Sequence, residues 1–416
     1  METPMALATL ITRRSWFTVI LIALVIGAVC SPGRAGPTLK KYTTKYYVLH
    51  TDLDKDMTRQ AVVRITAMAQ EYHNRTRSFA GRITTRFPLY LYKNRQEYNK
   101  HPGVISGSAG MYNGTSLIAT APRPGGSWRV LQHEGFHQFA HKVIRGRLPI
   151  WLNEGLAEYF GRGIWTGDSL VVGVIHNGAR GVVQEMIKKK TLMPLSKMLA
   201  MSQREWNGAL SHRNYLQAWS MVHFLVHGDK GKYQKALSSY IRDLSQGKSS
   251  TAAFRKRFGS NTKAFHARYV DWWSKLPDNP SRELYDRIKV LTLTSYLARA
   301  YATGKVFEDF QAFAKAGSDG TFARIFQFIG KRKPAIWLPL SLLSETLPSA
   351  GSAGDWSLLA RPEKSGRPRL KLKLSDGSSL IGSFTTGSQI KVSVSKMPAV
   401  SEKPTVKPTS KPAAKK

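Results

Sequence analysis

His133-Glu134-Gly135-Phe136-His137 sets two imidazoles four residues apart with a carboxylate between them. Helical side chains at i and i+4 lie one turn above each other, so both imidazoles can reach one metal ion. Glu134, about 100° round the axis from His133, flanks the ion's open position as a base. A catalytic zinc needs a third protein ligand and one free position. Glu154 lies 17 residues beyond His137, in Pro149-Ile150-Trp151-Leu152-Asn153-Glu154-Gly155-Leu156-Ala157-Glu158-Tyr159-Phe160. The leading proline and the apolar spacing predict a helix with Glu154 and Glu158 on one face. Glu154 can ligate, and Glu158 can hold a ligand histidine from behind. His141 continues the histidine face, but eight residues span about 12 Å of helix, too far to share an ion with His133. Without chemistry, the histidines would be a packed helix face and the acids a solvated stripe. Their gathering in a chain with 26 acidic against 63 basic residues favours a site.

These residues need helices, and the pattern supplies them. Apolar positions recur at threes and fours in 128–144, 150–161, 213–228, 232–246, 250–258 and 261–275. Upstream, 42–50 and 84–92 read as strands flanking a helix over 57–73, and 107–121 adds glycine-punctuated β segments. The expected fold is α+β: a mixed N-terminal sheet with helices (42–125), then a helical half (126–275) that carries the histidines. Residues 281–349 read as a further helical segment packed on that domain, 350–355 as a hinge, and 368–396 as a β-hairpin module turning at Asp376-Gly377. The Pro/Lys/Thr-rich tail 398–416 reads as disordered.

At the other end, Arg13-Arg14, an apolar run from Trp16 to Val29 and a small-residue stretch to Gly36 read as a signal peptide over 1–35. The run falls short of the ~20 residues that span a bilayer, so the expectation is cleavage rather than anchoring, and a periplasmic, envelope or secreted location. Cys30, the single cysteine, would leave with the signal. The exported chain would then have neither disulfides nor thiolate metal sites.

HEGFH followed by WLNEGLAEYF resembles the gluzincin metallopeptidases, the zincin-like clan of thermolysin and aminopeptidase N, in which HExxH precedes WLNEGFA. The chain is more closely similar to an exported bacterial peptidase-like family with P-x-WL-x-EGLA-x-YF and Y-x-QAW-x-x-VHFL, matched at Pro149–Phe160 and Tyr215–Leu225 over roughly residues 42–275. The resemblance implies one Zn²⁺ on His133, His137 and Glu154, Glu134 as general base, Glu158 in support, and Tyr215 as donor to the oxyanion. It implies a peptide or protein substrate, with endo- or exo-cleavage left open. His212 and His223 are alternative oxyanion donors whose other reading is structural, and an edge strand near 110–117 can pair with extended substrate.

The formal charge of +37 allows two other classes. One is a catalytically inactive zincin-fold scaffold binding anionic cell-envelope polymers. The other is a nucleic-acid binder, hinted at by Lys188-Lys189-Lys190 and Arg255-Lys256-Arg257; export argues against it, and charge runs are usually solvated faces. Beyond residue 360, thirteen Lys/Arg face only Glu363, Asp376 and Glu402. Deleting 398–416 should therefore leave turnover of a small neutral peptide unchanged while weakening retention on an anionic matrix at low salt, since exposed charges are screened within ~10 Å at 0.1 M.

Overall fold

Alternating apolar residues between Lys40 and Thr120 build a sheet with unequal covers. The computed structural model describes residues 38–123, 126–208, 212–330 (backbone only at 327–330), 337–349, 354–359, 366–387 and 389–399, all in one compact unit beginning at Pro37. The expected signal peptide with Cys30, most of the 350–355 hinge and the tail beyond 399 lie outside the described residues.

The expected strand over 42–50 is two strands, β1 (Lys40–Thr43) and β2 (Tyr47–Thr51), paired antiparallel. The turn closes because Thr44 Oγ1 accepts from the Tyr47 amide at 2.9 Å. Next come α1 (Lys55–Thr76), β3 (Phe87–Tyr92), α2 (Arg95–Asn99), β4 (Gly110–Tyr112) and β5 (Leu117–Thr120). The sheet order is β1-β2-β3-β5-β4, with β2-β3 and β3-β5 parallel and both edges antiparallel, so the sheet is mixed, as expected. Pro88 sits before β5 joins the ladder at Leu89, where its missing N–H breaks no β3-β5 bond. Leu89, Leu91 and Leu117 face the main core with Ala61, Ile65 and Met68 of α1, whereas Tyr92 and Ile118 form a small cluster with Tyr98 of α2 on the other face.

The helical half opens with α3 (Arg129–Phe139), which runs into one π turn at Ala140–Ile144, and α4 (Ile150–Gly161). Residues 162–211, for which the pattern predicts no element, hold the two-residue strands β6 (Ile164–Trp165) and β7 (Leu170–Val171) and the helices α5 (Asn177–Lys188), α6 (Leu195–Ala200) and α7 (Gln203–Gly208). Helices α8 (His212–Gly231), α9 (Gln234–Ser245), α10 (Ser250–Phe258) and α11 (Thr262–Ser274) follow, near the expected bounds. The last turn of α8 is broken, because Asp229 and Lys230 take positive φ.

Beyond residue 280 lie α12 (Arg282–Ala302), α13 (Phe310–Ser318), α14 (Thr321–Gly330) and α15 (Leu340–Thr346), then β8 (Trp356–Leu359), β9 (Arg369–Lys373), β10 (Ser379–Thr385) and β11 (Lys391–Met397). The expected hairpin is β9-β10, the centre of a four-stranded antiparallel sheet ordered β11-β10-β9-β8. This region packs on the rest as expected. Ser281 Oγ accepts from the Ile175 amide at 2.8 Å, Asp168 pairs with Arg299 at 2.7 Å, and one hydrophobic cluster runs from Tyr46 to Phe384. Among the described residues, no helix is long and apolar enough to cross a membrane.

Gly155 sets the spacing of α4 and α8. A Cβ there would meet the Ala218 carbonyl oxygen at 2.5 Å and Val222 at 2.8 Å. Gly155→Ala should therefore cost ~1–3 kcal/mol, read as a lower urea midpoint at unchanged m-value. Gly135→Ala should cost less. The nearest atoms to its Cβ, at 2.8 and 3.3 Å, belong to the flexible Met68 side chain.

Candidate metal centre

Three contacts to neighbouring elements fix the histidine helix. Tyr72 of α1 donates its hydroxyl to the Gln132 carbonyl, and Gln138 donates to the Pro88 carbonyl at 2.9 Å, tying α3 to the sheet. The Gln132 amide reaches the carbonyls of Phe160, Gly161 and Gly163 at 3.2, 3.1 and 3.0 Å, satisfying the open end of α4. Register between α3 and α4 is thereby set within one turn of the histidines. Nothing in the sequence marks Gln132, since a glutamine on a helix reads as surface.

The two helices bring the expected residues together. His133 Nε2 and His137 Nε2 stand 3.1 Å apart, and Glu154 Oε2 lies 3.3 and 3.4 Å from them. One ligand atom from each of the three residues falls within 4.8 Å of the others, so the cluster can hold a metal ion. Its side chains are 12%, 13% and 12% exposed, which leaves one open approach. Glu154 Oε2 is shut off from solvent without a hydrogen-bond donor at bonding geometry. Buried carboxylate oxygens need a partner, and a shared cation between the three groups is one that fits this donor set.

Glu158 lies behind the cluster. Its Oε1 is 3.2 Å from His133 Nδ1, which orients the ring with Nε2 toward the centre, and its Oε2 is held by Arg129 at 2.5 Å and Arg162 at 3.1 Å. The two arginines were not legible as partners, since one precedes the motif and the other follows α4.

Electrostatics follow from this packing. Burial opposes charge on His133, yet the close approach of Glu154 and Glu158 outweighs that and raises it to about 10. Burial likewise works against ionising Glu154 and Glu158, but the adjacent imidazoles and, for Glu158, the two guanidiniums bring each down to about 2. For Glu134, burial dominates and pushes the carboxyl above its usual range, against the pull of the two histidines. Its Oε2 accepts from the amide of Tyr112 at 3.1 Å, so the edge strand β4 holds it beside the cluster.

The remaining expected residues scatter. Tyr215, at the start of α8, is half-buried, its ring 6.4 Å from that of His133 and edge-on to Trp206 at 5.2 Å. Burial, then Glu154, raise its hydroxyl above the usual value. His212 is exposed at the first residue of α8. His223 is buried among Trp219 and Trp273, with Nε2 3.0 Å from the Gly173 carbonyl, so its place is structural. His141, in the π turn, lines the same cleft as His137, with Nδ1 2.7 Å from the Tyr112 hydroxyl. A cleft of about 560 Å³ opens from His137 and Glu154 past Tyr112, Arg147 and Met201.

Residues 129–249 match the model of a family described as Protein of unknown function (DUF1570), a span that contains both ligand helices and Tyr215. A search of curated proteins finds no match.

Because the carboxylates hold a proton on His133, a cation taking Nε2 must displace it. Calorimetric titration with Zn²⁺ in buffers of different ionisation enthalpy should show about one proton released. Apparent affinity should rise roughly tenfold per pH unit between about pH 6 and 8, below the His133 value of about 10. Buffer-independent enthalpies would contradict the protonated pair.

Proposed function

We propose that this chain is an exported zinc-dependent metallopeptidase of gluzincin type with a zincin-like fold. The observation that carries the reading is the meeting of His133, His137 and Glu154 from two helices, with Glu134 poised at the edge of the same cluster. The resemblance of HEGFH and WLNEGLAEYF to the gluzincin motifs supports it.

Zinc held by these three side chains would supply Lewis acidity, lowering the pKa of water towards ~7 and polarising the scissile carbonyl. Glu134, its basicity raised by burial, takes the proton from the attacking water and passes it to the leaving amine. Glu158 keeps His133 in the tautomer that presents Nε2. Tyr215, in the first turn of α8 with its ring edge-on to Trp206, would donate to the developing oxyanion. The Gly110–Tyr112 edge offers backbone groups to an extended chain, although the Tyr112 amide is engaged by Glu134. A substrate pairing there must share or displace that bond, coupling binding to release of the base.

Three substitutions test the reading. Glu134→Gln should retain zinc and lose ~10²–10⁴ in turnover, since the base is not a ligand. Glu154→Gln should lose metal as well, and Tyr215→Phe should cost on the order of 10² if one oxyanion bond is removed. Peptide-library digestion and metal analysis of the purified protein provide the readouts. If no zinc co-purifies or restores activity, and Glu134→Gln matches wild type throughout, the peptidase assignment falls and a binding scaffold takes its place.

A further inference from the structure

On the side of α3 away from the metal cleft, a second pocket of about 440 Å³ opens between the first turn of α3, the end of α4 and β6. Its charged lining is three arginines, Arg64, Arg129 and Arg162, against one acid, Glu345. Trp128 and Trp165, both buried, form the wall. His176 completes the ring of polar groups, with Nδ1 2.8 Å from the Tyr285 hydroxyl.

Arg64 is the informative residue. Its guanidinium lies 4.2 Å over the Trp165 ring and 5.2 Å from that of Trp128. Its Nε is shut off from solvent with no hydrogen-bond partner, and the carboxylate that acts on it electrostatically is Glu345 of the same lining. Stacking orients a guanidinium but leaves its in-plane donors unsatisfied, and a buried donor without an acceptor costs ~1–3 kcal/mol. Arg129 and Arg162 spend part of their fork on Glu158, yet each guanidinium has five N–H groups and Glu158 takes few of them. The first turn of α3 lines the same pocket. Among the described residues, Ser127 Oγ accepts from the Arg129 amide at 3.2 Å, so the helix start presents its positive end beside the arginines.

We propose that this pocket binds a phosphoryl group. A tetrahedral oxyanion has enough oxygens to engage three convergent guanidiniums together, whereas a carboxylate has two. The volume exceeds that of the bare ion, so a phosphate monoester or the phosphodiester of an anionic polymer can enter as readily as free phosphate. None of the lining residues is a candidate metal ligand, but Arg129 and Arg162 also hold Glu158 behind His133, so Arg64, which touches neither, is the residue that tests the pocket by itself.

The test is titration of the full chain with inorganic phosphate at low salt, after EDTA treatment so that phosphate meets no metal. Saturable binding with Kd on the order of 1 mM is expected, weakened by 0.5 M NaCl. Arg64→Gln should weaken it about tenfold or more at an unchanged melting profile. Should that variant not fold, Arg64→Lys, which keeps the charge but not the planar fork, should weaken it about threefold. An oligomer of glycerol phosphate distinguishes the sources. Binding as tight as inorganic phosphate assigns the pocket to a polymer-borne group, and binding tenfold weaker assigns it to the free ion. No saturable uptake to about 20 mM phosphate, wild-type affinity in the Arg64 variants, or displacement of phosphate by equimolar acetate would overturn the proposal.

Discussion

Two carboxylates must stay ionised inside a helix packed on nearly all sides, and the arrangement around α4 answers that demand. Isolated, a buried carboxylate would neutralise itself; here two imidazoles and two guanidiniums, drawn from α3 and from the turn after α4, surround Glu154 and Glu158. The compensation works only at one register and one spacing of the helices. Gln132 fixes the register, and the absence of a side chain at Gly155 lets α8 close over the far side. The fold's other features, the sheet under α3 and the cap of α8, read as means of holding this charged layer still.

The layer also assigns different work to chemically similar groups. Glu154 and Glu158 are one helical turn apart, and both are driven towards the charged form. Glu154 faces the two imidazoles, where its buried Oε2 lies between them without an aligned donor, while Glu158 faces guanidiniums that hold it. Glu134 has no arginine beside it and drifts the opposite way. Burial is common to all three; the partner decides whether each is driven towards the charged or the neutral form.

How much of this was legible in the sequence depends on range. The spacing of His133 and His137, and of Glu154 and Glu158, is a local consequence of helical pitch, so the pairs could be read directly. Helices α4 and α10 likewise begin and end where the pattern puts them. The partners that complete the site act at a distance. Arg129 and Arg162 sit on different elements, Tyr112 approaches from a three-residue edge strand, and the π turn that carries His141 has no composition of its own. Strands of two residues, such as β6 and β7, carry too few positions for alternation to show. The pairing of β8 with β9, across residues 360–365, is non-local in the same way.

The single hydrophobic cluster that runs from Tyr46 to Phe384 has a thermodynamic consequence. A core shared in this way unfolds as one cooperative body, so free energy gained at any point is distributed over all of it. An ion seated between α3 and α4 would raise the stability of the β8–β11 sheet as much as that of its own ligands, by an amount that grows with the logarithm of free ion concentration. The distant sheet then becomes a gauge of metal supply: starved of cation, the whole chain, and not the ligand-bearing half alone, moves closer to the threshold at which proteases recognise it.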